Sequence, residues 1–384
     1  MDSQITVPPR LQNLVEDFKS KKTKIQDASE DLLVELARFR YPQGAEDSYE
    51  ERNIAEIKEK LGFKNAMQVS RLLNLAKDRG IIRIDIKNVR KTDGKDRVKE
   101  RYPALKRVQT VASNSDHTAL TLALGQRAAE IFDELCETRG SFSVTLGGGR
   151  TMKEFVHNLD DKSRSIIVMP MALFTRSAVG EVYDSPYLAM VAHWVSREIS
   201  QAYVCALPPL PDRDNKKKPV TIPDLVKYCH SLYSGNDQVR EVFSRAVDPD
   251  VIFFGVADLS EKSSIIYRAY DRIGFSYKRL CSMGGIADMN YTVLTEAGND
   301  LSDEIIKELN IDHDIPKHSH PFLLAMSIKR IKELVGDKQR ERDVFVVAGG
   351  VHKYKAIKAV LKGRIANCLI TDEDTITRLA EDND

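Results

Sequence analysis

No apolar run in this 384-residue chain approaches the ~18–20 residues that a membrane-spanning helix needs. The opening stretch, MDSQITVPPRLQNLVEDFKSKKTK, lacks the apolar core of a secretory signal. The cysteines (Cys136, Cys205, Cys229, Cys281 and Cys368) are odd in number and scattered, with no C-x-x-C pair. That pattern argues against structural disulfides and fits the reducing cytoplasm. Internal repeats and low-complexity tracts are missing too. Net charge is only +1, and the 42% apolar and 30% charged content is that of an ordinary soluble globular protein. The length allows two or three domains.

The charge is unevenly spread. Residues 1–112 hold 24 Lys and Arg against 18 Asp and Glu, and the remainder holds 34 against 39. A basic N-terminal part on a slightly acidic body points to a polyanion partner at one end.

Residues 1–26 read as an N-terminal arm or loose helix with a basic run, Lys19, Lys21, Lys22 and Lys24. In DASEDLLVELARFRY, Asp27 and Glu30 have capping-box spacing, and Leu32, Leu33, Leu36 and Ala37 share a face. PQGAEDSY breaks that helix. EERNIAEIKEKLG forms a second helix with Gly62 after its end. NAMQVSRLLNLAKDRG forms a third, with Asn65 as N-cap, Gln68 at N3, and Val69, Leu72, Leu73 and Ala76 as a buried stripe. IIRIDIK alternates like a strand. Helix, helix, tight turn, helix and strand spell a winged helix-turn-helix over 27–92, although a small helical bundle capped by a strand would give the same pattern. In the DNA-binding reading, outward residues of the third helix include Met67, Gln68, Ser70, Arg71 and Asn74. Gln68 and Arg71 carry forks suited to base edges, while Lys64 and the amides after Asn65 meet phosphates.

Residues 88–115 read as a connection. Thereafter short apolar strands alternate with helices: SFSVTLG, SIIVMPMAL, QAYVCALPPL, VIFFGVA, VFVVAGG and NCLITD. This predicts a doubly wound, mostly parallel, Rossmann-like α/β domain over 93–384. Ligands sit at the carboxyl ends of such strands. There the sequence places Gly147, Gly148, Gly149, Arg150 and Thr151; Gly255, Ala257 and Asp258; Gly284, Gly285 and Asp288; and Gly349, Gly350 and Lys353. Glycines at strand ends can serve the turn alone. Several of them with Arg, Thr, Asp and Lys in reach point to an anion or polyol site. No Walker A G-K-[ST] is present, and GGGRTMKEF lacks the third glycine of a dinucleotide fingerprint.

IAEIKEKLGF with QVSRLLNLAKDRGIIRIDI, LGGGRT, GGIADMN and VAGGVHKYKAIKAVLKGRIANCLITDEDT together resemble the SorC-type sugar-sensing transcriptional regulators, in order and over nearly the whole chain. The resemblance implies an effector domain related in fold to sugar-phosphate isomerases, control of a carbohydrate-utilisation operon, and a tetramer. It implies that Gly147 to Thr151 hold the effector's phosphate or polar head, that Lys353 meets an anionic group and that Asp288 takes sugar hydroxyls. The turn between Gly62 and Val69 is one residue longer than the family's. Ala189, Met190 and Phe322 stand where polar residues or Arg are usual.

An isomerase is the alternative, with Asp288 as a general base, but it leaves the N-terminal helices without a purpose. DHDIPKHSH offers His313, His318 and His320, with spacing that matches no common zinc pattern. Lys216, Lys217 and Lys218 read as a solvated loop, and Trp194 as core. The expectation is a cytoplasmic regulator with operator DNA and a sugar or sugar phosphate as partners, without cofactor, metal or catalytic residue.

Overall fold

A computed structural model describes residues 7–40, 53–82, 94–159, 166–174, 184–195, 199–204, 221–260, 276–308, 316–321 and 323–382. The chain divides into two units, Met1–Asp85 and Ile86–Asp384.

The N-terminal unit holds helices Pro9–Ser20, Glu30–Arg40, Ile54–Leu61 and Ala66–Asp78. Leu11, Val15, Leu32, Leu33, Leu36, Ile57, Val69 and Leu72 meet in one buried cluster. Residues 9–20, read as arm or loose helix, therefore pack as a helix through Leu11 and Val15. Ile25–Asp27 is a 3₁₀ turn. The next helix is capped by Ser29, whose hydroxyl accepts the Leu32 N–H at 3.3 Å, and not by Asp27. Gly62 adopts φ 63°, which lets its own N–H and that of Phe63 close the helix before the turn. Asn65 accepts the Gln68 N–H at 2.9 Å, as its N-cap role predicts. Arg79, at the far end of that helix, donates to the carbonyls of Gln26 (2.7 Å) and Ala28 (2.9 Å). The helix-turn-helix is thus tied at both ends. Residues 83–93, which hold most of the expected wing strand, and the link 41–52 lie outside the described residues.

The C-terminal unit carries strands β1 (Arg107–Val111), β2 (Phe142–Leu146), β3 (Ile166–Pro170), β4 (Ile199–Ala202), β5 (Val251–Phe254), β6 (Ala257–Asp258), β7 (Gly285–Met289), β8 (Thr292–Thr295), β9 (Ser319–His320), β10 (Leu323–Met326), β11 (Asp343–Val347) and β12 (Cys368–Asp372). Seven of them form one sheet in the order β1-β12-β11-β5-β2-β3-β4, parallel throughout. Strand residues alternate between two buried layers. Val144, Leu146, Phe253, Phe345 and Val347 face helices His117–Arg139 and Arg150–His157. Ile252, Phe254, Val344 and Val346 face helices Ile222–Gly235, Ile328–Gly336 and Tyr354–Lys362. Phe253 and Phe345 stack at 4.5 Å, each fully buried side chain worth roughly 2–3 kcal/mol.

Several readings change. Residues 88–115 are more than a connection, because Gly94–Arg101 is a helix and β1 is an edge strand of the main sheet. The strand expected at 201–210 lies at Ile199–Ala202, so in the described residues it begins before the apolar run. VIFFGVA splits after Phe254, and Ala257–Asp258 joins an antiparallel sheet, β6-β7-β8. GGIADMN is therefore not an end of the parallel sheet; it is β7 itself. No helix among the described residues is long and apolar enough to cross a membrane.

Candidate functional site

The chain runs β2, β3, β4 outward in one direction and returns to place β5 on the other side of β2. The β2/β5 boundary is the switch point of the sheet, where adjoining loops diverge and leave a crevice. Gly147, Gly148 and Gly149 leave β2 at this place. The Gly147 N–H donates to the Phe253 carbonyl at 2.8 Å. A Cβ on Gly147 would come within 2.9 Å of the Phe254 side chain, so only glycine fits. Gly149 adopts φ 111°, and nothing lies within 4 Å of where its Cβ would stand. The loop is thus pinned at its root and open at its tip. Gly255 follows β5, and the carbonyls of Gly148 and Val347 both lie 3.8 Å from the Cβ position above it. The ends of β2, β5 and β11 therefore converge at Gly255.

The helix starts of this unit are of two kinds. Helices His117–Arg139, Ile222–Gly235, Asp237–Ala246, Tyr277–Ser282, Ile328–Gly336 and Glu373–Glu381 each begin on a capping side chain: Asp116, Thr221, Asn236, Ser276, Ser327 and Asp372. Arg150–His157 begins on Gly149, and Tyr354–Lys362 follows the Val351–Lys353 3₁₀ turn, both without a side-chain cap. First-turn amides have no partner inside their helix and carry the positive end of its dipole. Two such starts, after β2 and β11 on either side of β5, have the geometry that can receive an anion.

Thr151 is buried in the first turn, and Arg150 beside it is exposed. Helix His117–Arg139 crosses this helix so closely that a Cβ on Gly125 would meet Glu154 at 2.5 Å. Ala257 pairs with Asp288 in the β6-β7 ladder. The Val351–Lys353 turn packs against β6. Gly147–Thr151, Gly255, Ala257, Asp288 and Lys353 thus belong to one region at the carboxyl side of the sheet. Lys353 lies one loop away from the glycine cradle.

Asp372 was not among the expected site residues. Fully buried, it accepts the Gly350 N–H at 2.5 Å, the Thr375 hydroxyl at 2.7 Å and the Thr375 N–H at 3.0 Å. Ser113 adds a bond at 3.3 Å from the end of β1. A Cβ on Gly349 would fall 2.5 Å from the same carboxylate. Asp372 therefore sets the shape of the Gly349–Gly350 loop. His117 and His352 were also unforeseen; their rings meet edge to face at 4.5 Å beside that loop.

In the N-terminal unit Lys64, Asn65 and Arg71 are exposed, whereas Gln68 and Ser70 are half-buried. Of the alternative metal motif, His320 is fully buried with Nε2 2.7 Å from the Ser302 hydroxyl, and burial holds its imidazole down at about 3. His318 faces Glu333 at 3.5 Å. His313, Lys216, Lys217, Lys218, Phe322, Cys205 and the Trp194 side chain lie outside the described residues. Ala189 is core. Burial pushes the Cys229 thiol up to about 12, which leaves it inert.

A family model described as "Putative sugar-binding domain" matches residues 333–381. No curated protein matches the sequence. The solved full-length sorbitol operon regulator SorC from Klebsiella pneumoniae is similar over 92% of this chain and 100% of its own, at 20% identity and a TM-score of 0.58. A probable sor operon regulator from Shigella flexneri covers 75% of this chain and 98% of its own, at 17% identity and a TM-score of 0.53. A transcriptional regulator from Streptococcus pneumoniae covers 74% and 95%, at 17% identity and a TM-score of 0.54. The fold of this chain is that of the SorC-type regulators, as the resemblance in its motifs implied.

Proposed function

We propose that the protein is a transcriptional regulator of a carbohydrate-utilisation operon whose DNA binding responds to a sugar or sugar phosphate. The observation that carries this is the pair of helix starts without a side-chain cap, after β2 and after β11 on either side of β5, in a unit where six other helices begin on capping side chains. Gly147 to Thr151 bind the anionic or polar head through backbone amides and the Thr151 hydroxyl. Arg150 and Lys353 add positive charge. Gly255 and Ala257 line the floor, and Asp288 accepts sugar hydroxyls. Several charge-assisted hydrogen bonds of ~1.5–3 kcal/mol each suffice for micromolar affinity without turnover. An isomerase would need a general base aimed at the sugar. We infer sensing instead, because the helix-turn-helix unit and the fold relatives, whose names are those of regulators, both favour it.

On this reading residues 1–26 form the arm, 27–92 the DNA-binding domain and 93–384 the effector domain. Lys64 and the amides after Asn65 meet phosphates, and Gln68, Ser70 and Arg71 lie on the reading helix. One reading helix covers too few base pairs for an operator, so the protein acts as a dimer or tetramer on a two-fold site. The test is calorimetry of the full chain with a panel of sugar phosphates and sugar acids. Binding of one of them, recovered unchanged, is the expected result. Rapid conversion of that compound would replace the sensor by the isomerase.

A further inference from the structure

We propose that Met67 contacts a thymine methyl group in the major groove, and that the base-reading face of helix Ala66–Asp78 is Met67, Arg71 and Asn74. This rests on the DNA-binding reading and adds a specificity residue to it.

Gln68 is engaged at the start of the helix. Its Oε1 accepts the Lys64 N–H at 3.2 Å while its own N–H is held by Asn65. Paired reading of adenine needs both ends of the amide fork free. Gln68 is half-buried and spends its acceptor on closing the helix start. Ser70 is half-buried too, and Val69, Leu72, Leu73 and Ala76 form the core stripe. The exposed residues of this helix are Ala66, Met67, Arg71, Asn74 and Asp78, of which Met67, Arg71 and Asn74 are spaced i, i+4, i+7 along one face in its N-terminal two-thirds. Arg71 offers a fork for guanine and Asn74 one for adenine.

Met67 is the apolar member of that face. Its side chain is 60% exposed, and Val351, in the other unit, is the one other large apolar side chain so exposed among the described residues. A lone exposed apolar residue is ordinary on a protein surface; its position here is not. The N-terminal residues of a reading helix are those that approach base edges. Met67 is the second residue of this helix, flanked by Lys64 and Arg71. Its unbranched, polarisable thioether can follow an irregular surface. The thymine C5 methyl is the apolar feature of the major groove and tells T·A from C·G.

The full-length protein is used to enrich duplexes from a random library, and each thymine of the enriched site is replaced in turn by deoxyuracil, which removes only the methyl. At one thymine per half-site the wild-type protein should lose about fourfold in affinity, the worth of one buried carbon. Met67→Ala should bind the thymine and deoxyuracil duplexes equally, at the lower affinity. Because Met67 is exposed, this variant should keep the wild-type melting temperature. A wild-type protein indifferent to every deoxyuracil, an enriched site without thymine, or a deoxyuracil penalty that persists in Met67→Ala would each overturn the inference alone. Failure to enrich any sequence would overturn the DNA-binding reading and this inference with it.

Discussion

The two ends of the parallel sheet are built on opposite principles. At the amino ends, charge is paired with charge. Asp343, which opens β11, receives Lys106 at 2.6 Å and Arg139 at 2.5 Å. Arg342 is buried and binds Asp248 at 2.8 Å and Asp337 at 3.1 Å. Arg330 and Arg340 reach the same Asp248. At the carboxyl ends the loops are glycine-rich, and two helices start without caps. One end is tied by ion pairs; the other holds the loops in which we place effector binding. On that proposal stability and recognition separate along the strand axis, and each is removable without the other.

Breaking the amino end should have the largest effect. Arg342→Met removes the buried guanidinium from Asp248, Asp337 and the Pro249 carbonyl, with Arg330 and Arg340 still on Asp248, and should cost about 3 kcal/mol in urea unfolding, with effector binding intact in the folded fraction. An unchanged urea midpoint would show that the network is decorative. Next, Gly148→Val puts side-chain atoms into the cradle. It should lower effector affinity by about 2–3 kcal/mol while the unfolding midpoint stays near that of the wild type. A variant that fails to fold would make the carboxyl loop structural and erase the contrast.

How much of this was readable in advance depends on the reach of each signal. The strands from Val251 and Asp343 stand out because both their faces are buried, which leaves continuous apolar runs, and the strand from Phe142 because Phe142, Val144 and Leu146 alternate before the glycines. The helix from Ala66 stands out because Asn65 and its apolar stripe are local. β1 does not, since RVQTV carries two large apolar positions, opens on Arg107 and follows Lys106. β6 escaped because Ala257 and Asp258 pair with a strand some thirty residues on. The helix at 9–20 was hidden by its basic run, although Leu11 and Val15 carry its packing. The glycines of the cradle could be named from strand-end position. Asp372 could not, because its role depends on bringing the ends of β11 and β12 together.

The small β6-β7-β8 sheet sharpens the comparison, because near it burial works on titratable groups that neither end uses. Asp300 accepts the Ser302 N–H at 2.7 Å, and burial pushes its carboxyl up to about 6, with Lys332 as a nearby counter-charge. At pH 7.5 this ionised group costs stability, so Asp300→Asn should gain about 1 kcal/mol there, a figure discounted for partial exposure. His320 works in the opposite sense. Its folded-state value is depressed, so its contribution is present above about pH 6.5 and is lost as the unfolded imidazole charges. In the wild type, Asp300 offsets that loss between about pH 6 and 4 by binding its own proton in the folded state. The variant lacks the offset and should lose stability steadily from about pH 6.5 downward. Parallel stability–pH curves for the two proteins would contradict this.

The smallest expected effect is that of Lys353→Ala, which lies one loop from the cradle. It should weaken phosphorylated ligands by about 1 kcal/mol, measured by calorimetry, and leave their unphosphorylated forms unaffected. An equal loss for both forms would place Lys353 outside the anion's reach.

The most direct test of the account is fluorescence anisotropy of an enriched duplex bound by the full chain, titrated with the tightest-binding sugar derivative, with the recovered ligand analysed afterwards. The account predicts a change in DNA affinity of about fivefold or more, in either direction, with the ligand intact and the response lost in Gly148→Val. Unaltered DNA affinity at saturating ligand, or ligand turned into product, would contradict it.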